Sequence, residues 1–285
     1  MSTESLLNAW LPGGVSGVFA ICMHDSDFQS MQKLIKAEFP SLQQFKAIDT
    51  LHGLRTVDDF NRLQFPVSIR TRRNVLQSKP QSHIKDIVTH GPIGCSQSHM
   101  TIWKNSENLP GWVIIFESDV RAEHDIRAFI SETTKTPFPT TEPQPGIIKF
   151  GWFIRGGKVK RVSKNLNKIV GGNSPGAQAY AIRGSDAHKY IKSLTPIDGH
   201  VDQELIMAST TGEAPSIYQT SRNVLFQRYK LQKRSMHPVF NLKLLFPDDP
   251  ATSNTIIVLP WVLLIVSLLI VIVMSALYWR IKNKV

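Results

Sequence analysis

The chain predicts an α/β fold with a mostly parallel central sheet, to which one C-terminal transmembrane helix is added. Three observations carry that prediction. Apolar runs of strand length alternate with stretches of helical period between residues 15 and 219, the pattern of strands joined by crossover helices. Residues 256–278 hold no charge over 23 positions, which at about 1.5 Å per residue spans a hydrocarbon core of roughly 30 Å. Between these regions, residues 91–119 pass from a glycine turn through a short amphipathic helix and a second turn into an apolar strand. They end on two carboxylates one residue apart, Glu117 and Asp119.

Residues 15–23 are apolar and rich in small side chains and form the first predicted strand. Asp25 or Ser26 can cap the helix that follows, in which Phe28, Met31, Leu34 or Ile35, and Phe39 keep a helical period. A second strand is expected at 46–50, and the polar stretch up to His90 is partly loop. A helix over 96–105 sets His99 and Trp103 on one face, and the unbroken apolar run 112–116 is a strand of the buried type. A helix over 125–130, a loop dense in Thr and Pro over 133–146 and a short strand over 146–151 come next. The turn 171–176 leads into a strand over 177–182. Ser185 is expected to cap a helix running to Leu194, with Asp186 favourable at its start. A helix over 201–208 and a strand over 215–219 close the domain. Residues 1–220 thus make the folded unit, 221–255 a basic and then Pro- and Asp-rich tether, 256–278 the membrane helix, and 279–285 a short basic tail. Trp261, Tyr278 and Trp279 sit where interfacial aromatic belts occur, and Pro260 falls in the first turn, where its missing N–H costs least.

With 285 residues there is room for one sizeable soluble core and little more. The N-terminus has no basic n-region and carries Glu4, which makes it a poor signal peptide. The two cysteines, Cys22 and Cys95, imply no disulfide framework, and no Asn begins an acceptor Asn-x-Ser/Thr sequon. These features favour a single-pass, C-terminally anchored protein with its domain in the cytosol. Arg280, Lys282 and Lys284 argue the opposite way by the positive-inside rule. The net charge of +11 admits nucleic acid, anionic membrane or an anionic substrate as partner. One basic cluster comprises Arg70, Arg72 and Arg73. The other comprises Arg155, Lys158, Lys160, Arg161, Lys164 and Lys168, contains Gly156 and Gly157, and reads as a mobile loop. A charge run is most often a solvated face, and no nucleic-acid motif accompanies either cluster, so no nucleic acid is expected.

In an open α/β sheet, ligands bind beyond the carboxyl ends of the strands, which is where Glu117 and Asp119 arrive. In an extended chain, residues two apart point the same way, so both carboxylates can reach one hard divalent cation. A solvated turn after a strand is the plainer reading. Residues 196–204 add Asp198, His200, Asp202 and Glu204; Asp202 can serve as a base or simply as a helix N-cap. A lone helical histidine such as His99 is more often packed in the core than a ligand, and Trp103 reads as core.

Gly91, Gly94, Cys95, Ser98, His99 and Trp103, followed by the strand ending Glu117-Ser118-Asp119, resemble the helix-start and Glu-Asp-Asp pattern of glycosyltransferase family 25. Further matches follow in the family's order: Ala47-Ile48-Asp49, Ile148-Lys149-Phe150-Gly151, Gly176-Ala177-Gln178-Ala179-Tyr180, Pro196-Ile197-Asp198, Val201-Asp202 and Ser216-Ile217-Tyr218-Gln219. The resemblance implies a GT-A-like fold and transfer of galactose or glucose, with inversion, from a uridine diphosphate donor to a glycan, lipid or protein hydroxyl. It implies Mn2+ or Mg2+ held chiefly by Asp119, with Glu117 on the metal or the donor ribose. Asp202 aligns best with the family's catalytic acidic element as base or second metal contact, with Asp198 and His200 in reserve. His99 joins Glu117 and Asp119 among the candidate cofactor contacts without being a metal ligand. Ser118 and the segment Cys22-Met23-His24-Asp25-Ser26-Asp27 depart from the family pattern. They leave open a second class, a membrane protein that keeps the fold as an inactive scaffold or binding module.

Overall fold

A computed structural model describes residues 1–78, 86–122, 126–139, 144–151, 156–173 and 176–227. The expected membrane helix 256–278, the tail 279–285, most of the tether 221–255 and Arg155 of the basic cluster lie outside the described residues. Among the described residues no helix is long and apolar enough to cross a membrane.

The chain begins with α1 (Thr3–Trp10), β1 (Val15–Cys22), α2 (Asp25–Ile35) and β2 (Gln43–Lys46), followed by the short helices α3 (Val57–Asn61) and α4 (Ile69–Leu76). Then come α5 (His90–Ser106), β3 (Trp112–Glu117), β4 (Val120–Ala122), α6 (Ile126–Thr134), β5 (Ile147–Lys149), and the hairpin of β6 (Gly156–Arg161) and β7 (Leu166–Asn173). The remaining elements are β8 (Ala179–Arg183), α7 (Ala187–Ser193), α8 (Val201–Thr211), β9 (Ile217–Thr220) and β10 (Leu225–Gln227).

Eight strands form one sheet in the order β2-β1-β3-β8-β5-β9-β7-β6, and β10 pairs with β4 in a separate ribbon. The sheet is mixed, which corrects the expectation of a mostly parallel one. β1 runs parallel to β2 and β3, and β5 parallel to β9, but β8 lies antiparallel between β3 and β5, and β7 is antiparallel to both β9 and β6. The reason is that an unbroken apolar run reports burial on both faces rather than direction. Residues of β3 and β8 are buried on both sides although the strands run opposite ways.

Alternation along β3 divides the core in two. Val113 and Ile115 face a cluster built with Met100 and Trp103 of α5, Tyr190 of α7 and Leu205 of α8. Trp112, Ile114 and Phe116 face a second cluster with Leu7 of α1, Met31 and Ile35 of α2, and Phe129 of α6. The sheet is thereby sandwiched between two helical layers.

Three boundaries differ from expectation for physical reasons. The second strand lies at Gln43–Lys46 rather than 46–50 because Phe19–Cys22 pair with Gln43–Lys46 in register. The glycines of the expected turn at 91–94 are inside α5, where a Cβ on Gly94 would stand 2.5 Å from the Ile48 carbonyl and 2.7 Å from Thr50 Oγ1. Glycine is required there for close approach of the 48–50 loop. The basic cluster expected as a loop is the β6–β7 hairpin at the sheet's edge. Its Lys- and Gly-rich sequence hides strand character, and lysines on an edge strand discourage pairing with another chain.

The stretch read as the start of a tether belongs to the domain. Val224 and Leu225 are fully buried and both donate their N–H to the Phe150 carbonyl at 3.1 Å. The compact unit extends from Met1 to Arg228.

Candidate functional site

β1, β3, β5 and β9 point the same way, so their carboxyl ends form one edge. Glu117 closes β3 and Lys149 closes β5. β8 enters the same edge from the opposite direction, and pairing places Tyr180 beside Ile115 on one side and Lys149 on the other. Lys149 in turn pairs with Gln219, and Gln219 with Asn167. Tyr180, Lys149, Gln219 and Asn167 are all buried, so a row of polar side chains crosses the otherwise apolar sheet at its carboxyl edge.

Glu117 falls two residues after Ile115, on the face covered by α5, and there it meets His99. The Nε2 of His99 lies 3.2 Å from Glu117 Oε1, and its Nδ1 lies 2.7 Å from the Tyr180 hydroxyl. Trp103 Nε1 donates to that same hydroxyl at 2.8 Å. The proton positions follow from the chemistry of the partners. Indole is only a donor, and a carboxylate only accepts, so a neutral His99 must carry its proton on Nε2 and accept the Tyr180 O–H at Nδ1. Cys95 donates its thiol to the same Glu117 oxygen at 3.7 Å. Trp103, Tyr180, His99 and Cys95 thus form a directed chain of donors that ends on one carboxylate.

The first turns of α5 set these residues at this spacing. Gly94 admits the 48–50 loop, and Ser98 Oγ accepts the Ile48 N–H at 2.8 Å, tying that loop to the helix. Cys95 and His99, four apart, share the face that meets Glu117.

Asp119 lies in the two-residue turn between β3 and β4. The extended spacing that would set it on the same side as Glu117 therefore ends one residue too early. Asp202 is the second residue of α8, after the N-cap His200, so it is not itself the cap. Its Oδ2 accepts the Gly176 N–H at 2.7 Å and its Oδ1 the Gln203 N–H at 2.9 Å, and the helix N-terminus favours its negative charge. Burial pushes the Cys95 thiol well up, and the charges of Glu117, Asp202 and Asp119 push it further.

Asp202 also lines a small cavity with Lys149, Gly176, Tyr180 and Leu205. Burial lowers Lys149 to about 8, with Asp202 opposing the shift. Lys149 was missed as a functional candidate in the sequence reading, although a lysine ending the apolar run Ile147-Ile148 is a visible signal. Tyr180 and Cys95 were missed too, because nothing local marks a core-like tyrosine or a single cysteine as reaching a carboxylate. Asp198 is drawn into a different cluster. It accepts from Ser68, from Arg70 at 2.7 Å and from Thr71 at 3.3 Å, while Arg70 also lies 3.7 Å from Asp86. That cluster ties α4 to the segment preceding α8.

A family model described as glycosyltransferase family 25 (LPS biosynthesis protein) matches residues 19–205, well over half of the chain. The chain belongs to glycosyltransferase family 25. No curated protein matches it. The matched span of the family runs from β1 to the first turn of α8 and so takes in Glu117, Asp119, Lys149, Tyr180 and Asp202. It stops short of β9 and β10, which nonetheless complete the sheet edge and the ribbon beside it.

Proposed function

We propose that this family 25 member transfers a hexose, galactose or glucose, from a uridine diphosphate sugar to the hydroxyl of a glycan, lipid or protein acceptor. The observation that carries the reading is the family match over residues 19–205, which takes in Glu117 at the end of β3, Asp119 in the turn after it and Asp202 in the first turn of α8. Carboxylate oxygens are the hard donors that suit Mn2+ or Mg2+. Glu117 and Asp119 would hold such a cation, Glu117 oriented from behind by His99 and Cys95. When bound, the cation supplies positive charge against the departing diphosphate.

The acceptor oxygen attacks the anomeric carbon as the bond from that carbon to the diphosphate oxygen breaks, and attack from the face opposite the leaving group inverts the centre. Asp202 receives the acceptor's proton in this scheme. Its oxygens are oriented by the Gly176 and Gln203 N–H groups, and each keeps a second lone pair for the hydroxyl. Lys149, in the same cavity as Asp202, supports that carboxylate electrostatically. The same reading has the domain tethered to a bilayer through residues 256–278 and facing the cytosol.

The test is release of uridine diphosphate by the purified full-length chain from UDP-galactose and UDP-glucose, with Mn2+, Mg2+ or chelator. Turnover that needs the metal is expected. Asp119→Asn should lower it by at least about 100-fold, a few kcal/mol of lost transition-state stabilisation, with the folded state retained. Full turnover in Asp119→Asn would remove the metal assignment. A folded chain that turns over no nucleotide sugar would favour the inactive scaffold instead.

A further inference from the structure

Cys95 Sγ, His99 Nε2 and Glu117 Oε1 lie within 4.8 Å of one another, and they are a different ligand set from the all-oxygen one above. We propose that these three side chains form a binding site for a thiophilic divalent cation of the zinc type. The site shares Glu117 with the one proposed above but does not rest on it, because it takes a soft cation and is measured without donor or acceptor.

Geometry argues for it first. Tetrahedral zinc with bonds of about 2.0 Å to nitrogen and oxygen and about 2.3 Å to sulfur sets its N and O ligands roughly 3.3 Å apart and its S and O ligands roughly 3.5 Å apart. Here the N to O separation is 3.2 Å and the S to O separation 3.7 Å. Cys95 and His99 stand four apart on α5, the spacing by which paired ligands on one helix face grip zinc. The remaining S to N edge lies within 4.8 Å.

The surroundings agree. A metal-ligating histidine normally engages its other nitrogen in a hydrogen bond that fixes the ring, and His99 Nδ1 has Tyr180 at 2.7 Å. With the cation on Nε2, the ring proton resides on Nδ1 and is donated to the Tyr180 oxygen, whose second lone pair already accepts Trp103. Cys95 gives up its thiol proton when the cation binds, since the thiolate is the ligand form. His99 is sealed in the core, whereas the Glu117 side chain is 25% exposed. Glu117 is thus the side of the site open to an entering cation.

Titration of the full chain with Co2+ should give one equivalent with a thiolate-to-cobalt charge-transfer band, displaced by Zn2+ and not by Mg2+. Cys95→Ser should abolish the band, and Cys22→Ser should keep it. In the unaltered chain, Zn2+ should slow alkylation of Cys95 by at least ten-fold relative to chelator, read by peptide mass. That measurement needs no variant to fold. Absence of the band, a band that survives Cys95→Ser, or Cys95 alkylation at the same rate with and without Zn2+ would each overturn the proposal.

Discussion

Lys149 is buried in the sheet. A buried ammonium is costly, and burial lowers this one to about 8 from an ordinary value of 10.5. The sign of the resulting pH dependence follows from proton counting. Between about pH 8 and 10.5 the unfolded chain holds the Lys149 proton and the folded chain does not, so this group's contribution to stability rises with pH across that window. Below pH 8 both states carry the proton and the full cost of burying the charge is present. In urea unfolding, the stability of the wild-type chain relative to Lys149→Met should therefore improve from pH 8 to 10.5, by at most about 3 kcal/mol. A constant difference across that range would mean that the amine stays charged, held by Asp202. Around Glu117 the arrangement is of another kind, since Cys95 and His99 both donate toward it. Such directed networks are costly to leave half-satisfied.

At the scale of elements, α5 does most to build the site. It carries Cys95, His99 and Trp103 on the face toward the sheet, and its Gly94 and Ser98 hold the 48–50 loop. Gly94→Ala would press a methyl group against the Ile48 carbonyl, 2.5 Å away. Overpacking of this sort costs about 1–3 kcal/mol, and the fall should appear in urea unfolding together with reduced donor turnover, because the helix moves with its functional face. Unchanged stability would mean that the loop yields instead. The end of the domain makes a second case. Gly151 could not bear a Cβ, which would lie 1.7 Å from the Leu225 carbonyl, and Arg222 stacks on Phe129 of α6 at 4.6 Å. Ending the chain at residue 221 removes the fully buried Val224 and Leu225, each contributing about 1.5–3 kcal/mol, a large part of an ordinary domain's 5–15 kcal/mol. A chain ending at 221 should unfold at markedly lower urea than one ending at 228; equal midpoints would show that the β4–β10 ribbon adds nothing.

For the whole molecule, the cytosolic orientation proposed with residues 256–278 as anchor has a direct check in sealed vesicles. External protease should digest the domain while a C-terminal epitope survives, whereas a protected domain would mean that Arg280, Lys282 and Lys284 set the topology. Much of the fold was legible beforehand because it depends on neighbours in the chain. The strand at 15–23 and the apolar run ending at Glu117 appear within a residue of their expected places, and the helix holding His99 and Trp103 ends within a residue of its expected end though it starts six residues earlier, since apolar periodicity is a local property. So did the motif that marks the family, whose spacing is that of one helix and one strand. Strand direction was not legible, because β3 and β8 are buried alike whichever way they run. Nor was the β6–β7 hairpin, whose lysines conceal its pairing. Of the site, Glu117, Asp119, Asp202 and His99 were named from the chain, but the contacts of His99 with Tyr180 and of Cys95 with Glu117 were not. His99 meets Tyr180 across 81 positions and Glu117 across 18. Which side chains come to face one another over such separations is settled by sheet order and register, through the competition of all long-range pairings at once, and no local pattern in the chain encodes it.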